Sequence, residues 1–136
     1  MTTKMRVIFV CTANAARSQM AEGLLRAKYG DRYEVFSAGT RQTKVSTSAI
    51  AVMQEIGIDI SHHRSKTLDE FRGVSFDIAV TLCDNAHAVC PIISGAKKTI
   101  HHGFCDPHIL PGSDMTLLDA YRRIRDEISR WIAAEF

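Results

Sequence analysis

The 136-residue sequence contains no long apolar run, no strong charge bias and no internal repeat. The early apolar run at residues 7–10 is too short for the core of a signal peptide. No run approaches the roughly 18 apolar residues of a membrane span. A net charge of +2 is too small to mark a patch that binds nucleic acid or a membrane surface. These absences predict a cytoplasmic protein that binds neither nucleic acid nor membrane.

Cysteine is scarce, and its spacing argues against the commonest cysteine-based sites. Cys11, Cys83, Cys90 and Cys105 form no Cys-x-x-Cys pair, which zinc knuckles normally contain. A secreted disulfide scaffold is normally shorter than this chain and follows a signal peptide. In the reducing cytoplasm a retained cysteine is usually catalytic, metal-binding or packed in the core. The role of each thiol is therefore the main question that the sequence raises.

Apolar patterning predicts one α/β domain spanning residues 1–136. Short apolar runs predict four strands, at residues 5–10, 33–37, 76–82 and 98–101. Helical spacing predicts helices at residues 18–29 and 46–56, a short helical turn at 68–71 and a long C-terminal helix at 117–131. Strands that alternate with helices favour a single three-layer domain, in which a four-stranded parallel sheet has helices on both faces. Ligands bind such sheets beyond the C-terminal ends of the strands.

The segment after the first predicted strand has the features of an anion-binding loop. Cys11 is followed, after five intervening residues, by Arg17 and Ser18 at the start of a predicted helix. Successive backbone N–H groups in such a loop form an anion nest, and the helix N-terminus adds partial positive charge. Arg17 supplies a planar two-pronged contact to an oxyanion. The residues expected to bind the oxyanion are Thr12, Ala13, Asn14, Ala15, Ala16 and Arg17.

The same positive field favours the thiolate form of Cys11, which is the nucleophilic form. Ser18 can donate a hydroxyl hydrogen bond to the sulfur, and Asn14 belongs to a residue type that tolerates left-handed backbone. The alternative is a structural cysteine in the core with an unrelated surface arginine nearby. Small and polar residues fill residues 12–16, where a core segment would be apolar. The loop therefore predicts a cysteine nucleophile that attacks a tetrahedral oxyanion, without identifying the oxyanion.

Two further segments follow the third and fourth predicted strands and so belong to the same sheet edge. Cys83 and Cys90 fit three interpretations: a redox pair, two packed cysteines, or a zinc site completed by a histidine. The histidines that such a zinc site would use are His87, His101 and His102. Asp106 precedes Pro107, which holds it in extended geometry. Its carboxyl group can donate a proton to a leaving oxygen, or it can simply form an Asp-Pro turn.

Together these segments resemble the thioredoxin-coupled arsenate reductases that have the low-molecular-weight protein tyrosine phosphatase fold. The resemblance covers almost the whole chain from Arg6 onward, and its motifs are specific in combination. It is carried by residues 11–23, 37–39, 58–61, 81–83, 90–91, 106–107 and 121–128.

The resemblance implies a three-thiol mechanism for arsenate reduction. Cys11 would attack arsenate, Cys83 would attack Cys11 and release arsenite, and Cys90 would then attack Cys83. Thioredoxin would reduce the final Cys83–Cys90 disulfide, with no bound cofactor or metal, in a monomer. Phosphate and sulfate would compete with arsenate. The residues that would assist the first step are Arg17, Ser18 and Asp106.

Three positions depart from the family pattern. Ala13 stands where the family commonly has glycine, which raises the question of its backbone geometry. Ala16 stands where a further cysteine is frequent, but that cysteine is not one of the relay thiols. Lys66 stands where relatives that bind potassium have an aspartate; the other matching positions are Asn14, Glu22 and Ser37. The lysine ammonium would repel a cation, so we expect no potassium site.

Two other functions compete with arsenate reduction. Tyrosine phosphatases of this fold usually place tyrosines after the Asp-Pro pair, whereas this chain has His108 there. A hydrolase also has no use for Cys83 and Cys90, although weak hydrolysis of aryl phosphates is expected from the shared loop. A non-catalytic thiol sensor or metal-binding regulator would need neither Asp106 nor the Arg-Ser anion loop.

Oxidation is expected to refold residues 84–89. If residues 83–90 form a helix, the α-carbons of Cys83 and Cys90 lie about 10.5 Å apart at 1.5 Å per residue. A disulfide requires α-carbons within about 7 Å, so the segment must unwind first. Amide NMR spectra of the reduced and oxidised protein test this, and nearly unchanged shifts at residues 84–89 would contradict it.

Overall fold

Four parallel strands form one sheet in the computed structural model, which describes residues 4–82, 93, 95–108 and 115–136. The strands are β1 (Met5–Cys11), β2 (Tyr33–Gly39), β3 (Phe76–Thr81) and β4 (Ala96–His101). Their order across the sheet is β2-β1-β3-β4, and every neighbouring pair is parallel. The predicted α/β fold with a four-stranded parallel sheet is therefore confirmed.

In the described part of the chain, three α-helices and one 3-10 helix lie between and after the strands. They are α1 (Arg17–Tyr29), the 3-10 helix (Leu68–Phe71), α2 (Thr47–Gln54) and α3 (Leu117–Glu135). Ser46 caps α2, because its hydroxyl oxygen accepts a hydrogen bond from the backbone N–H of Ala49. Among the described residues, no helix combines the length and the apolar character that crossing a membrane requires.

The core lies on both faces of the central strand β1. Residues 7–10 are fully buried, as expected of a continuous apolar run in a parallel sheet. Val7 and Phe9 belong to the larger cluster, which the three α-helices complete with residues such as Met20 and Ile128. Ile8 and Val10 point to the opposite face, where the 3-10 helix packs. Three phenylalanine rings meet there edge to face, those of Phe36, Phe71 and Phe76.

The C-terminal ends of the strands bring distant segments to one edge of the sheet. β1 ends at Cys11, and the chain after β4 continues beside the chain after β3. The N–H of His102 donates to the carbonyl of Thr81, and the N–H of Phe104 donates to that of Leu82. Because of these hydrogen bonds, the segment that contains Asp106 lies at the same edge of the sheet as Cys11.

Arg125 is an exception to the polar-outside pattern of α3. It is only 8% exposed, although arginine is rarely buried without partners. Its Nη1 donates to the carbonyl of Val52 (2.8 Å) and to Glu55 (2.9 Å), and its Nε donates to Asp126 (2.8 Å). Arg125 therefore ties α3 to the C-terminal end of α2.

Replacing Arg125 by alanine is expected to lower the free energy of unfolding by about 2 kcal/mol, because the buried Val52 carbonyl loses its side-chain donor and Glu55 keeps only Arg122 as a partner among the described residues. Arg123→Ala is the matched control on the same helix, since Arg123 is exposed and pairs only along the surface with Glu127. Its effect should stay within about 0.5 kcal/mol. Urea unfolding followed by circular dichroism measures both, and equal losses would contradict the account.

Candidate active site

Cys11 lies at the bottom of the loop that joins β1 to α1. The residue is 2% exposed, and its Sγ is 2.9 Å from the hydroxyl oxygen of Ser18. The side-chain amide of Asn14 donates to that same oxygen at 2.7 Å. Either Cys11 Sγ or Ser18 Oγ can donate in their contact, and the Asn14 amide adds a second hydrogen bond to the Ser18 oxygen. The Cys11 sulfur is therefore held in a polar environment at the base of the loop.

The loop is held in shape by hydrogen bonds to its carbonyl oxygens. Each carbonyl from residue 12 to residue 15 accepts a hydrogen bond from a donor that lies outside the loop. The acceptor and donor pairs are Thr12 with Thr40 N (2.9 Å), Ala13 with Thr43 Oγ1 (2.8 Å) and Ser65 Oγ (3.0 Å), Asn14 with Gln19 Nε2 (3.1 Å), and Ala15 with Ser46 N (2.9 Å).

These bonds determine where the loop N–H groups point. In a planar trans peptide the carbonyl and the following N–H point in opposite directions, and the described residues contain no cis peptide. Because the carbonyls of residues 12–15 are bonded to donors outside the loop, the N–H groups of residues 13–16 point the opposite way. Helix α1 begins directly after the loop, and Ala16 supplies no side-chain cap for its first N–H groups. Backbone groups of this kind could bind an anion, as the sequence predicts.

Backbone geometry explains two residue choices at the loop. Asn14 has φ +50°, and it is the one residue other than glycine with positive φ in the described part of the chain. Ala13 is therefore outside the left-handed region, and its methyl group causes no such strain there. Gly39, opposite the loop, allows a close approach: a Cβ at this position would lie 2.6 Å from the carbonyl oxygen of Thr12.

Arg17 and Asp106 line the same cavity as Cys11, although they come from different parts of the chain. The cavity has a volume of about 540 Å³, and His108 and Tyr121 also line it. Arg17 Nη1 donates to the carbonyl of Phe104 at 2.9 Å, which holds the guanidinium beside the loop. Asp106 Oδ1 accepts a hydrogen bond from the N–H of His108 at 2.9 Å. A thiol, a guanidinium group and a carboxyl group thus line one cavity.

Of the other three cysteines, Cys105 lies within the described residues. Cys83 and Cys90, with the predicted refolding of residues 84–89, lie outside the described residues. Cys105 is an exposed free thiol, whereas Cys11 is a buried one. Within the described ranges, no group of three or more His, Cys, Asp or Glu side chains is placed to hold a metal ion.

A buried polar network supports the loop from behind. Gln19 donates to Asn14 Oδ1 (2.9 Å) and accepts from Nδ1 of His63 (2.9 Å). Nε2 of His63 in turn lies 3.2 Å from Arg26, which also pairs with Glu22. The neutral imidazole fits these partners, since Nδ1–H donates to Gln19 and Nε2 accepts from Arg26. Burial lowers the pKa of His63 below its ordinary value of 6.5, against the charge of Glu22.

Lys66 also contacts this network. Its backbone N–H donates to Asn14 Oδ1 at 2.8 Å, and its Nζ donates to the carbonyl of Arg64 at 2.9 Å. Burial lowers the pKa of Lys66, while the charge of Glu22 acts in the opposite direction. The positively charged Lys66 side chain thus lies close enough to Glu22 to feel the charge of its carboxylate.

Sequence reasoning missed the residues that tie the loop carbonyls. Thr43 and Ser65 lie 30 and 52 residues from Ala13, and a single hydroxyl donor at such a distance leaves no local pattern. The contacts of the Tyr121 hydroxyl with Ser46 and His108, which line the same cavity, also leave no local pattern. The residues with a local signal, namely Cys11, Arg17 and Ser18, lie together as the motif predicts.

Family and sequence comparisons agree with this geometry. The family model described as low molecular weight phosphotyrosine protein phosphatase matches residues 6–133. An arsenate reductase from Halalkalibacterium halodurans is 43% identical over 126 residues, which cover 93% of this chain and 91% of that protein. Arsenate reductase 1 from Staphylococcus epidermidis is 42% identical over 125 residues, covering 92% of this chain and 90% of that protein.

Solved structures share the fold across nearly the full chain. An arsenate reductase in its phosphate-binding state has a TM-score of 0.81 at 28% identity, over 96% of this chain and 95% of its own. The low molecular weight protein tyrosine phosphatase of T. tengcongensis has a TM-score of 0.72 at 29% identity, over 96% of both chains. A thioredoxin-dependent arsenate reductase from Corynebacterium glutamicum has a TM-score of 0.68 at 26% identity, over 98% of this chain and 62% of its own.

Acidification is expected to destabilise the network behind the loop through His63. Because its folded-state pKa is lowered, unfolding takes up a proton, and the free energy of unfolding falls as pH drops through about 6.5. His63→Gln should reduce this loss between pH 7 and pH 5, relative to the wild-type protein. His62→Gln, at the exposed neighbour, should change the slope less than His63→Gln, because the His62 charge contributes less than burial to the lowered pKa of His63. Urea unfolding across this pH range measures the slopes, and identical slopes for all three proteins would contradict the account.

Proposed function

Because the chain belongs to the low molecular weight phosphotyrosine protein phosphatase family, we propose that it is an arsenate reductase that works through a relay of cysteines. The observation that carries the proposal is the position of Cys11. Cys11 ends β1 at the base of a loop whose carbonyls at residues 12–15 are bonded to donors outside the loop, and it lines a cavity with Arg17 and Asp106. Relatives more than 40% identical over nine-tenths of the chain are arsenate reductases, which favours arsenate among the possible oxyanions.

The first step is nucleophilic substitution at arsenic. The Cys11 thiolate forms a sulfur–arsenic bond, and one arsenate oxygen leaves as water after receiving a proton from Asp106. The loop N–H groups and Arg17 bind the remaining oxygens and stabilise their negative charge in the transition state. Ser18 stabilises the thiolate before attack through its 2.9 Å contact with the sulfur.

Two thiol exchanges then carry the electrons. The Cys83 thiolate attacks the Cys11 sulfur, a Cys11–Cys83 disulfide forms, and the electron pair of the sulfur–arsenic bond leaves with arsenic as arsenite. Cys90 next attacks Cys83, which releases the Cys11 thiolate and leaves a Cys83–Cys90 disulfide. In sum, one arsenate and two thiols give arsenite, water and one disulfide.

Thioredoxin is the proposed reductant of that disulfide. Its dithiol supplies two electrons and two protons, so no bound cofactor is needed. The thioredoxin dependence of the similar Corynebacterium glutamicum enzyme supports this choice. The reaction belongs in the cytoplasm, where thioredoxin keeps thiols reduced. All the proposed catalytic residues lie in one chain, which is consistent with a monomer.

A weak phosphatase activity is the second proposed function. Phosphate and sulfate are tetrahedral oxyanions like arsenate, so the loop binds them as competitors. The cavity is larger than a bare tetrahedral anion needs, at about 540 Å³, and so has space for an organic group. Hydrolysis of an aryl phosphate would use Cys11, Arg17 and Asp106 without the other cysteines.

Arsenate-dependent oxidation of NADPH, coupled through thioredoxin and thioredoxin reductase, tests the proposed function. The wild-type protein should turn over many times, and Cys11→Ser should abolish the reaction because no nucleophile remains. Cys90→Ser should release about one arsenite per protein and then stop, since the Cys11–Cys83 disulfide is not resolved.

Cys105→Ser is the matched control, because Cys105 is an exposed thiol outside the proposed relay. It should retain wild-type turnover within about 2-fold. Sustained turnover by Cys90→Ser would contradict the relay. A wild-type protein that ignores arsenate but hydrolyses aryl phosphates rapidly would instead identify a phosphatase.

A further inference from the structure

We propose that Tyr121 is a positioning residue for Asp106 and acts through His108. The inference deepens the proposed function and rests on it, because it concerns the residue that would protonate the leaving oxygen. Tyr121 lies in α3, is 1% exposed, and lines the cavity together with His108 and Asp106. Its hydroxyl is part of a continuous chain of hydrogen bonds between the anion loop and the Asp106 carboxyl group.

This series of hydrogen bonds starts at the loop carbonyl of Ala15 and ends at the carboxyl group of Asp106. The N–H of Ser46 donates to the Ala15 carbonyl (2.9 Å), and the Ser46 hydroxyl donates to the Tyr121 hydroxyl oxygen (3.0 Å). That oxygen lies 2.6 Å from Nδ1 of His108, and the two rings pack edge to face. The N–H of His108 donates to Asp106 Oδ1 at 2.9 Å. Two residues, Ser46 and His108, thus each contribute one backbone and one side-chain contact.

One assignment of hydrogen atoms satisfies the hydrogen bonds that link Ser46, Tyr121 and His108. Ser46 donates its hydroxyl hydrogen to Tyr121, so the phenol hydrogen is left to donate to Nδ1 of His108. In this arrangement Nδ1 of His108 is the acceptor of the Tyr121 hydrogen bond. Burial raises the pKa of Tyr121, which keeps the phenol protonated and able to donate.

The consequence for Asp106 is a defined orientation. The His108 N–H donates to Oδ1, which restricts the rotation of the carboxyl group about its side-chain bonds. Pro107 restricts the backbone between them, and the Tyr121 bond restrains the His108 ring. General acid catalysis requires the acid within hydrogen-bond reach of the leaving oxygen. The chain of contacts sets that distance relative to the anion loop.

The test is a double-mutant cycle on arsenate reduction by the full-length protein in the coupled thioredoxin assay. Tyr121→Phe should lower kcat/KM by about 5- to 10-fold, because the hydroxyl is lost while the ring remains. Phosphate inhibition should change by less than 2-fold, since the anion loop is untouched. Asp106→Asn should lower kcat/KM by about 100-fold. The double variant should be no worse than Asp106→Asn alone, because an absent acid needs no positioning.

His108 variants probe the same bond from its other end, without changing the buried core. His108→Asn keeps an acceptor near the position of Nδ1 and should stay within about 2-fold of wild type. His108→Leu removes the acceptor and should match Tyr121→Phe. Tyr33→Phe is the matched tyrosine control: Tyr33 lies in β2 against Phe136, outside the cavity, and its replacement should leave kcat/KM unchanged.

Several outcomes would overturn the inference. These are full activity of Tyr121→Phe and His108→Leu, multiplying losses in the double variant, and weakened phosphate inhibition at constant kcat, which would mark Tyr121 as a substrate contact. Full activity of Asp106→Asn would instead refute the acid role in the proposed function. The cycle is repeated with phenyl phosphate, whose hydrolysis needs the proton but not the relay. A wild-type protein inactive on both substrates would refute the proposed function and the inference together.

Discussion

The chemistry of this protein depends on the outward tethering of four successive carbonyl groups. Backbone amides have no preference of their own for facing a sulfur atom. In this loop residues 12–15 give their carbonyl oxygens to donors on surrounding segments, so the N–H groups that follow them point the opposite way. The proposed anion site is thus made of backbone groups whose orientation depends on the surrounding segments.

The scaffold explains why the loop, the cation and the carboxyl group meet. Parallel strands end at one edge of the sheet, so Cys11 after β1 and Asp106 beyond β4 reach the same cavity across 95 positions of sequence. Gly39 at the end of β2 lets the loop approach the sheet, where any side chain would collide with it. A second layer of buried polar residues, from Gln19 to His63, fixes Asn14 in the left-handed geometry that the turn requires.

Sequence reasoning recovered the parts of this arrangement that have a local or periodic signal. The continuous apolar run of β1 and the helical spacing of apolar residues in α3 predicted these two elements, because burial imposes a recognisable pattern on the sequence. Long-range polar contacts impose no period, so the Thr43 and Ser65 tethers and the buried Arg125 were not predicted. Whether Ala13 strains the loop could not be predicted either, because it depends on the backbone angle. The structure shows that Asn14, and not Ala13, has positive φ.

The four thiols have unequal positions in this account, with Cys11 as nucleophile, Cys83 and Cys90 as the proposed shuttle, and Cys105 outside it. The most direct measurement is peptide mass spectrometry of Cys90→Ser after reaction with one equivalent of arsenate, together with arsenite quantification. The account predicts one arsenite per protein and a disulfide that joins the Cys11 and Cys83 peptides. Reduced Cys11 and Cys83 peptides with no arsenite formed, or arsenite formed with a disulfide that excludes Cys11, would contradict it.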